Sequence, residues 1–149
     1  MDGLDRAIIA ELEQDGRLTN VDLAARVGLT TGPCLRRVQR LEATGVIRGY
    51  RAIIDPAAIG RGFEVLLDVD LFAQDAATVE SFESILAAAP EIIELRRLFG
   101  KPDYFVRVAV ADLSAYETFL SNRVMTIPGV GRVHSRFAMK NIKGAAADL

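Results

Sequence analysis

The hydrophobic positions of the first fifty residues recur every three or four residues, which is the spacing of short helices that share one core. Leu4, Ile8 and Leu12 form the first stripe, and Asp2 or Asp5 stands where a helix cap is expected. A glycine follows each stripe, in the position where helices commonly end. The pattern predicts three helices: one that ends at Gln14–Gly16, then Asn20–Val27, then Thr30 to about Thr44.

The second and third predicted helices are joined by a short turn that contains Gly28, and a supporting helix precedes them. This order is typical of a helix-turn-helix, whose second helix enters the major groove of DNA. On the third helix, the residues expected to face inward are Cys34, Leu35, Val38 and Leu41. The residues expected to face DNA are Thr31, Gly32, Pro33, Arg36, Arg37 and Arg40.

Beyond residue 61 the period changes from helical to alternating. Apolar and acidic residues alternate through Phe63–Leu71, which is typical of a half-buried strand. Two helical stripes follow, and the four predicted strands are Phe63–Leu71, Glu91–Phe99, Tyr104–Ala111 and Val130–Met139. The order strand, helix, strand, strand, helix, strand predicts an α+β fold, a ferredoxin-like βαββαβ domain behind the helix-turn-helix.

These periods divide the chain into three parts. We predict a helix-turn-helix domain at residues 1–49, a linker strand and turn at 50–61, and a ferredoxin-like domain at 62–149. Within and just before the linker, Val46–Asp55 alternates enough to predict a short strand.

A βαββαβ domain places both helices on one face of its sheet. The other face is then expected to show apolar side chains such as Val69, Leu95 or Val108. Soluble monomers rarely expose a large apolar patch, so we expect a second copy to cover this face. The chain should therefore be at least a dimer.

The composition is that of a soluble globular protein, with 149 residues of which half are hydrophobic and 26% are charged. No apolar run is long enough for a transmembrane helix, and the acidic, amphipathic N-terminal sequence is unlike a signal peptide. Cys34 and His134 are the only residues of their types, so neither an internal disulfide nor a zinc site is expected. We predict a cytoplasmic protein with no membrane partner, no metal and no cofactor.

The charge is unevenly distributed. The net charge is −2, yet Gly32–Arg51 holds five arginines and one acid, Glu42. A concentrated basic segment in a weakly acidic chain indicates a local anionic partner. Arginine-rich helix faces are often merely solvated, but the helix-turn-helix context favours double-stranded DNA as the partner.

Six stretches of the sequence resemble one known family. The N-terminal stretches are "LDRAIIAELEQDGRLTNVDLAARVGLT" and "PCLRRVQRLEATGVIRGYRAIIDPAAIG", and the C-terminal ones are "GKPDYFVRV", "YETFL", "IPGV" and the closing "IK" at 142–143. In order and spacing they are similar to the leucine-responsive/asparagine-regulator (Lrp/AsnC, feast/famine) transcription factors, over nearly the whole chain. The resemblance implies a sequence-specific DNA-binding regulator whose C-terminal domain senses a small effector, commonly an amino acid, and assembles dimers into octamers or similar rings.

The resemblance also implies two sets of site residues. The DNA-reading helix falls on Thr30–Thr44, and the effector site lies around a Gly-x-x-Asp-Tyr hairpin where dimers meet. Its residues here are Gly100, Asp103 and Tyr104, with Ser135 on the last strand. A carboxylate suits the ammonium of an amino acid, and backbone N–H groups near a glycine suit its carboxylate. The alternative is a turn in which the aspartate bonds only its own backbone.

Four positions depart from the family pattern. Lys101 and Pro102 stand where members often carry an acid and an aromatic or small residue. Val133 replaces a threonine that is common on the last strand, and Ser135 replaces a second one. Because one hydroxyl is lost, we expect an effector other than leucine or asparagine, or none.

Two alternative functions stay open at this point. Sirohaem decarboxylases resemble this two-part architecture, and His134 with Arg136 would be the residues to hold a tetrapyrrole. A sequence-tolerant architectural protein would differ from a regulator mainly in its specificity for DNA. The sequence has no nucleophile–base pair, metal-ligand cluster or phosphate-binding glycine loop, so we predict a regulator and not an enzyme.

Overall fold

The structure, a computed structural model, describes residues 1–142. It divides into two compact units, Met1–Ala52 and the chain from Ile53 onward. Lys143 of the closing "IK" and the end of the predicted 62–149 domain lie outside the described residues. Among those described, no helix combines the length and the apolar character needed to cross a bilayer.

The first unit contains the three predicted helices: α1 (Gly3–Gln14), α2 (Asn20–Arg26) and α3 (Thr31–Ala43). Asp2 and Asp5 form a reciprocal capping box at the start of α1, in which each carboxylate accepts the other's backbone N–H. Thr19 caps α2 by accepting the N–H of Asp22. The core of the unit consists of Ile8, Leu23, Ala24, Cys34 and Leu41.

One member of the predicted inward stripe of α3 lies outside it. Cys34 and Leu41 are buried and Val38 is half-buried, but Leu35 is 43% exposed. Successive helix residues are about 100° apart, so a stripe through positions 34, 38 and 41 turns residue 35 away from the core. The prediction for Leu35 was wrong for this reason.

The predicted strand at Val46–Asp55 is also wrong, because this segment has no strand structure. A strand exists only where a neighbouring strand completes its hydrogen bonds, and none lies beside this segment within the described residues. Ile53 and Ile54, at the end of this segment, are both more than half exposed. A short 3₁₀ turn at Ala57–Ile59 follows.

The second unit has the predicted βαββαβ order. Its strands are β1 (Phe63–Leu71), β2 (Ile92–Arg97), β3 (Tyr104–Val110) and β4 (Val130–Phe137), and its helices are α4 (Ala76–Ala87) and α5 (Leu113–Phe119), the latter continued by a π-helical turn, Leu120–Val124. The sheet is antiparallel with strand order β2-β3-β1-β4. The fold class predicted from the sequence is confirmed.

The apolar face of the sheet is the one that the helices cover. Val69 and Val108 are fully buried in the core with Phe82 of α4, and Leu95 packs against the same core. The expectation that these residues lie on the uncovered face was wrong. The alternation of β1 directs its odd-numbered apolar residues to the helices and its even-numbered residues to the other side.

The uncovered face carries charged side chains, several of which are paired across strands. The Arg107 guanidinium on β3 lies 2.9 Å from Glu64 on β1 and 3.0 Å from Glu94 on β2. Arg136 on β4 lies 2.7 Å from Asp68 on β1. Val69, Leu95 and Val108 therefore give no support to a dimer through this face, because they lie on the side that the helices cover.

Candidate DNA-binding helix and effector site

The leading end of α3 is open and is fixed from α2. Thr31 and Gly32 are exposed and Pro33 is half-buried in the first turn. The side-chain amide of Asn20 donates to the backbone carbonyl of Thr31 at 2.8 Å. Sequence reasoning missed Asn20, because this bond joins two helices and spans 11 residues.

Arg36 is the arginine of α3 that is free to reach a ligand. It is exposed and makes no ion pair within the described residues. Its guanidinium lies over the leading turn, since a Cβ built on Gly32 would stand 3.7 Å from Arg36 Nη1.

Arg37 and Arg40, in contrast, are joined to α1. Arg37 Nη1 donates to Asp2 Oδ2 at 2.8 Å and to Asp5 Oδ1 at 2.7 Å, and Arg40 Nη2 donates to Asp5 Oδ2 at 2.7 Å. Asp5 is 1% exposed, whereas the Arg40 side chain is 57% exposed. One buried carboxylate therefore holds two of the three arginines that were predicted to face DNA.

The ionisation of this cluster follows from its contacts. The N–H of Asp5 and the Arg37 guanidinium lower the pKa of Asp2 from 3.8 to about 2. The N–H of Asp2 lowers the pKa of Asp5, with Arg37 and Arg40 adding to the effect against the opposing influence of burial. Hydrogen bonds to Asp2 and Asp5 raise the pKa of Arg37. Asp2, Asp5 and Arg37 are therefore charged at neutral pH.

The predicted effector hairpin joins β2 to β3, and Asp103 is its buried member. Asp103 is 8% exposed; its Oδ2 accepts the N–H of Leu71 at 2.9 Å and its Oδ1 accepts from Lys101 Nζ at 3.0 Å. Burial raises the pKa of Asp103, but the N–H of Leu71 and the Lys101 ammonium outweigh it and the pKa lies below its ordinary value. Gly100, three residues earlier, has a φ of 110° that favours glycine.

Tyr104 is a core residue with a polar tip. It is 2% exposed and its ring packs against Phe82 at a centroid distance of 4.6 Å. Its hydroxyl donates to Glu83 Oε1 at 2.8 Å, and the same oxygen accepts from Arg97 Nε at 2.6 Å. Asp103, Tyr104, Glu83 and Arg97 all line one cavity of about 510 Å³.

Ser135 lies apart from the hairpin. It pairs with Leu67 on β1, whereas Asp103 is bonded to Leu71, four residues further along that strand. Four residues of strand span about 13 Å. The Ser135 hydroxyl is 2.5 Å from the Tyr116 hydroxyl, so it joins β4 to α5.

The β4 residue that does approach the hairpin is Arg132, which pairs with Asp70 in the sheet register. Asp70, Lys101 and Arg132 line a second cavity, of about 750 Å³, together with Phe72 and Val133. Sequence reasoning missed Asp70 and Arg132, because only the β1–β4 register brings them to the hairpin. Gly131 permits the close approach, since a Cβ there would stand 3.1 Å from the Asp70 carbonyl oxygen.

Two family models match the chain. Residues 1–48 match a winged helix-turn-helix DNA-binding domain, and residues 64–147 match the Lrp/AsnC ligand binding domain. The chain belongs to the Lrp/AsnC family. It is therefore a transcriptional regulator with a DNA-binding helix-turn-helix and an Lrp-type ligand-binding domain, and the enzyme alternative is excluded, because both domains are those of regulators.

Individual Lrp/AsnC relatives align over nearly the full chain. The Bkd operon transcriptional regulator of Pseudomonas aeruginosa is 39% identical over 95% of this chain and 93% of its own length. A transcriptional regulator from Neisseria meningitidis, solved as a complex with L-Met, superposes with a TM-score of 0.91 at 32% identity, covering 97% of this chain and 93% of its own. An AsnC family regulator from Agrobacterium tumefaciens gives a TM-score of 0.88 at 37% identity, covering 97% and 94%.

Proposed function

We propose that this Lrp/AsnC regulator reads specific DNA sequences through α3, binds an amino acid at the Gly100–Tyr104 hairpin, and forms homo-oligomers. The observation that carries the proposal is the nearly buried Asp103 carboxylate beside a cavity in an Lrp-type ligand-binding domain. The complex of the Neisseria meningitidis relative with L-Met supports an amino acid as the effector. We assign residues 1–49 to DNA binding, 50–61 to a linker and 62–149 to effector binding and assembly, in a cytoplasmic protein.

For the DNA-binding helix, we assign the leading end, Thr31–Pro33, and Arg36 to contact with double-stranded DNA. These residues are open at the end of a helix that enters a groove in this class of domain. Arg37 and Arg40 stay in the proposal as phosphate contacts, because a guanidinium has five donors and Asp5 engages only part of them. The Asp5 carboxylate then fixes where the remaining donors point.

For the effector site, Asp103 is assigned to the ligand ammonium and the backbone near Gly100 to the ligand carboxylate. Tyr104 forms the floor of the cavity next to Asp103. Ser135 remains in the proposal only as a residue that supports the sheet through Tyr116, since it stands about four residues of strand away.

For assembly, the support comes from exposed apolar residues and not from the uncovered sheet face. Phe72 and Phe99 are 85% and 111% exposed, and both lie at the hairpin end of the sheet. Ile53 and Ile54 are exposed on a segment without helix or strand structure, which has no strand partner among residues 1–142. Such surfaces are typical of contacts with another copy, and we propose dimers that assemble into an octamer or similar ring.

The experiment is a pair of titrations on the full chain. Fluorescence anisotropy on DNA upstream of the protein's own gene, against a scrambled duplex of equal length, should show at least a thousandfold preference at about 150 mM salt. Adding an amino acid that raises the melting temperature should change that affinity. Equal binding to both duplexes would instead favour the architectural alternative.

A further inference from the structure

The hairpin carries an ammonium group of its own. Lys101 Nζ lies 3.0 Å from Asp103 Oδ1 and 3.3 Å from Asp70 Oδ1. Asp103 Oδ2 is occupied by the N–H of Leu71, and Asp70 Oδ1 also accepts the N–H of Asp103. Three of the four oxygens of these two carboxylates thus already contact groups of this chain.

We propose that Lys101 is a specificity-determining residue that occupies the position of a ligand ammonium and competes with amino acids for Asp103 and Asp70. This inference rests on the proposed function of the hairpin as an effector site. The ligands that Lys101 disfavours are those with a free α-ammonium group.

The contacts of Lys101 show how it can compete with a ligand ammonium and still be displaced by it. The Lys101 side chain is 66% exposed and that of Asp103 is 10% exposed, so the lysine end of the pair can move into solvent while the carboxylate stays in place. A ligand ammonium must then displace it and also bind beside a second positive charge. Both effects weaken amino acids, and neither acts on a carboxylate ligand that lacks the ammonium.

A second basic residue reinforces this difference between ligand classes. Arg132 makes no ion pair within residues 1–142 and lines the 750 Å³ cavity with Lys101 and Asp70, whereas Asp103 lines the 510 Å³ cavity. Two cations beside an apolar wall of Phe72 and Val133 suit an apolar carboxylate. Removing Lys101 should therefore strengthen amino acids while leaving their des-amino analogues equal or weaker.

The test is calorimetric titration of the full-length protein with L-methionine and with 4-(methylthio)butanoate, the same molecule without its ammonium. Lys101→Met is expected to bind L-methionine about three- to tenfold more tightly than wild type, which is the range of one exposed ion pair plus the removed repulsion. The same variant should gain nothing for the des-amino acid. Lys101→Arg, which keeps the charge, should stay within about twofold of wild type for both ligands.

Lys140→Met is the matched control, because it removes an exposed lysine outside the hairpin, and it should change neither affinity. Equal L-methionine affinity in wild type and Lys101→Met would overturn the inference while leaving the effector site itself in place. An equal gain for both ligands would also overturn it, since it would mean only that a shorter side chain opens the cavity. If neither wild type nor Lys101→Met binds L-methionine, the inference is overturned, because Lys101 would then not be what weakens this amino acid; the effector function itself fails only if no amino acid raises the melting temperature.

Discussion

Asp5 Oδ1 on α1 lies 2.7 Å from Arg37 Nη1 on α3, and this bond joins a carboxylate that is 1% exposed to the helix assigned to DNA. The same carboxylate also holds Arg40. Charge-assisted bonds of this kind fix the direction of a planar guanidinium. The supporting helix therefore sets the geometry of the DNA-binding helix through its charges as well as through the shared core.

We expect Asp5→Asn to weaken DNA binding although residue 5 need not touch DNA. The substitution keeps the shape of the side chain but removes the charge that orients Arg37 and Arg40. Affinity should fall and the melting temperature of the protein should fall with it. Anisotropy and circular dichroism measure the two effects, and Glu13→Gln, on the exposed side of the same helix, is the control. Unchanged affinity in a folded Asp5→Asn protein would mean that the Asp5 charge does not orient the arginines that bind DNA.

Arg36→Ala should also weaken DNA binding, but unlike Asp5→Asn it should leave the melting temperature unchanged. Arg36 is exposed and has no ion pair in the described part of the chain, so its loss costs the fold nothing. The expected loss is about 1–3 kcal/mol if it reads a base edge, or a salt slope smaller by about 0.9 if it contacts a phosphate. Titrations at several salt concentrations separate these results. A triple alanine variant at 36, 37 and 40 that still binds its operator normally would refute the assignment of α3.

The stability of the first unit should decrease in acid. The pKa of Asp2 in the folded protein is about 2, below its ordinary value of 3.8, and the pKa of Asp5 is lowered too. A lowered pKa contributes stability that is present above pH 3.8 and is lost as the pH falls towards 2. The melting temperature of Asp2→Asn should thus be lower than that of wild type at pH 5, and the two should converge near pH 2. A difference that stays constant across this range would contradict the prediction.

Asp103→Asn should abolish the response to amino acids and leave the fold intact. The amide oxygen still accepts the N–H of Leu71, whereas the charge that attracts an ammonium is gone. Asp103→Ala should in addition lose about 1–3 kcal/mol of stability, because it leaves that N–H without its acceptor. Calorimetry with L-methionine on both variants is the measurement. A retained response in Asp103→Asn would mean that the aspartate only orders the turn.

The exposed apolar residues predict self-association. In sedimentation at tens of micromolar, a range in which a specific interface holds, the wild type should be at least a dimer. The double variant Phe72→Ser/Phe99→Ser should sediment as smaller species than the wild type, because both rings are exposed at the hairpin end of the sheet. Ile85→Ser, at an exposed position of α4, is the matched control. A monomeric wild type would count against the proposed assembly.

The helices, the strands and the fold class followed from the sequence because their periods are local properties. The helical spacing around Ile8 and the alternation of β1 each follow from burial on one side of an element. The Asp5–Arg37 bond spans 32 residues. The spacing of hydrophobic residues within each helix does not show which face of α1 packs against which face of α3. The Lys101–Asp70 contact depends in the same way on a hairpin returning to β1. The uncovered sheet face was misassigned because an alternating strand shows two faces and does not tell which one the helices cover.

Because Cys34 is buried, its reaction with a thiol reagent can measure how often the first unit opens. It is the only cysteine of the sequence, it is 0% exposed within the core of the first unit, and burial raises the pKa of its thiol. A disulfide reagent reacts with the thiolate and needs solvent access, so it can label Cys34 only while the three helices are apart. The labelling rate in excess reagent therefore reports the opening of the unit that contains Cys34.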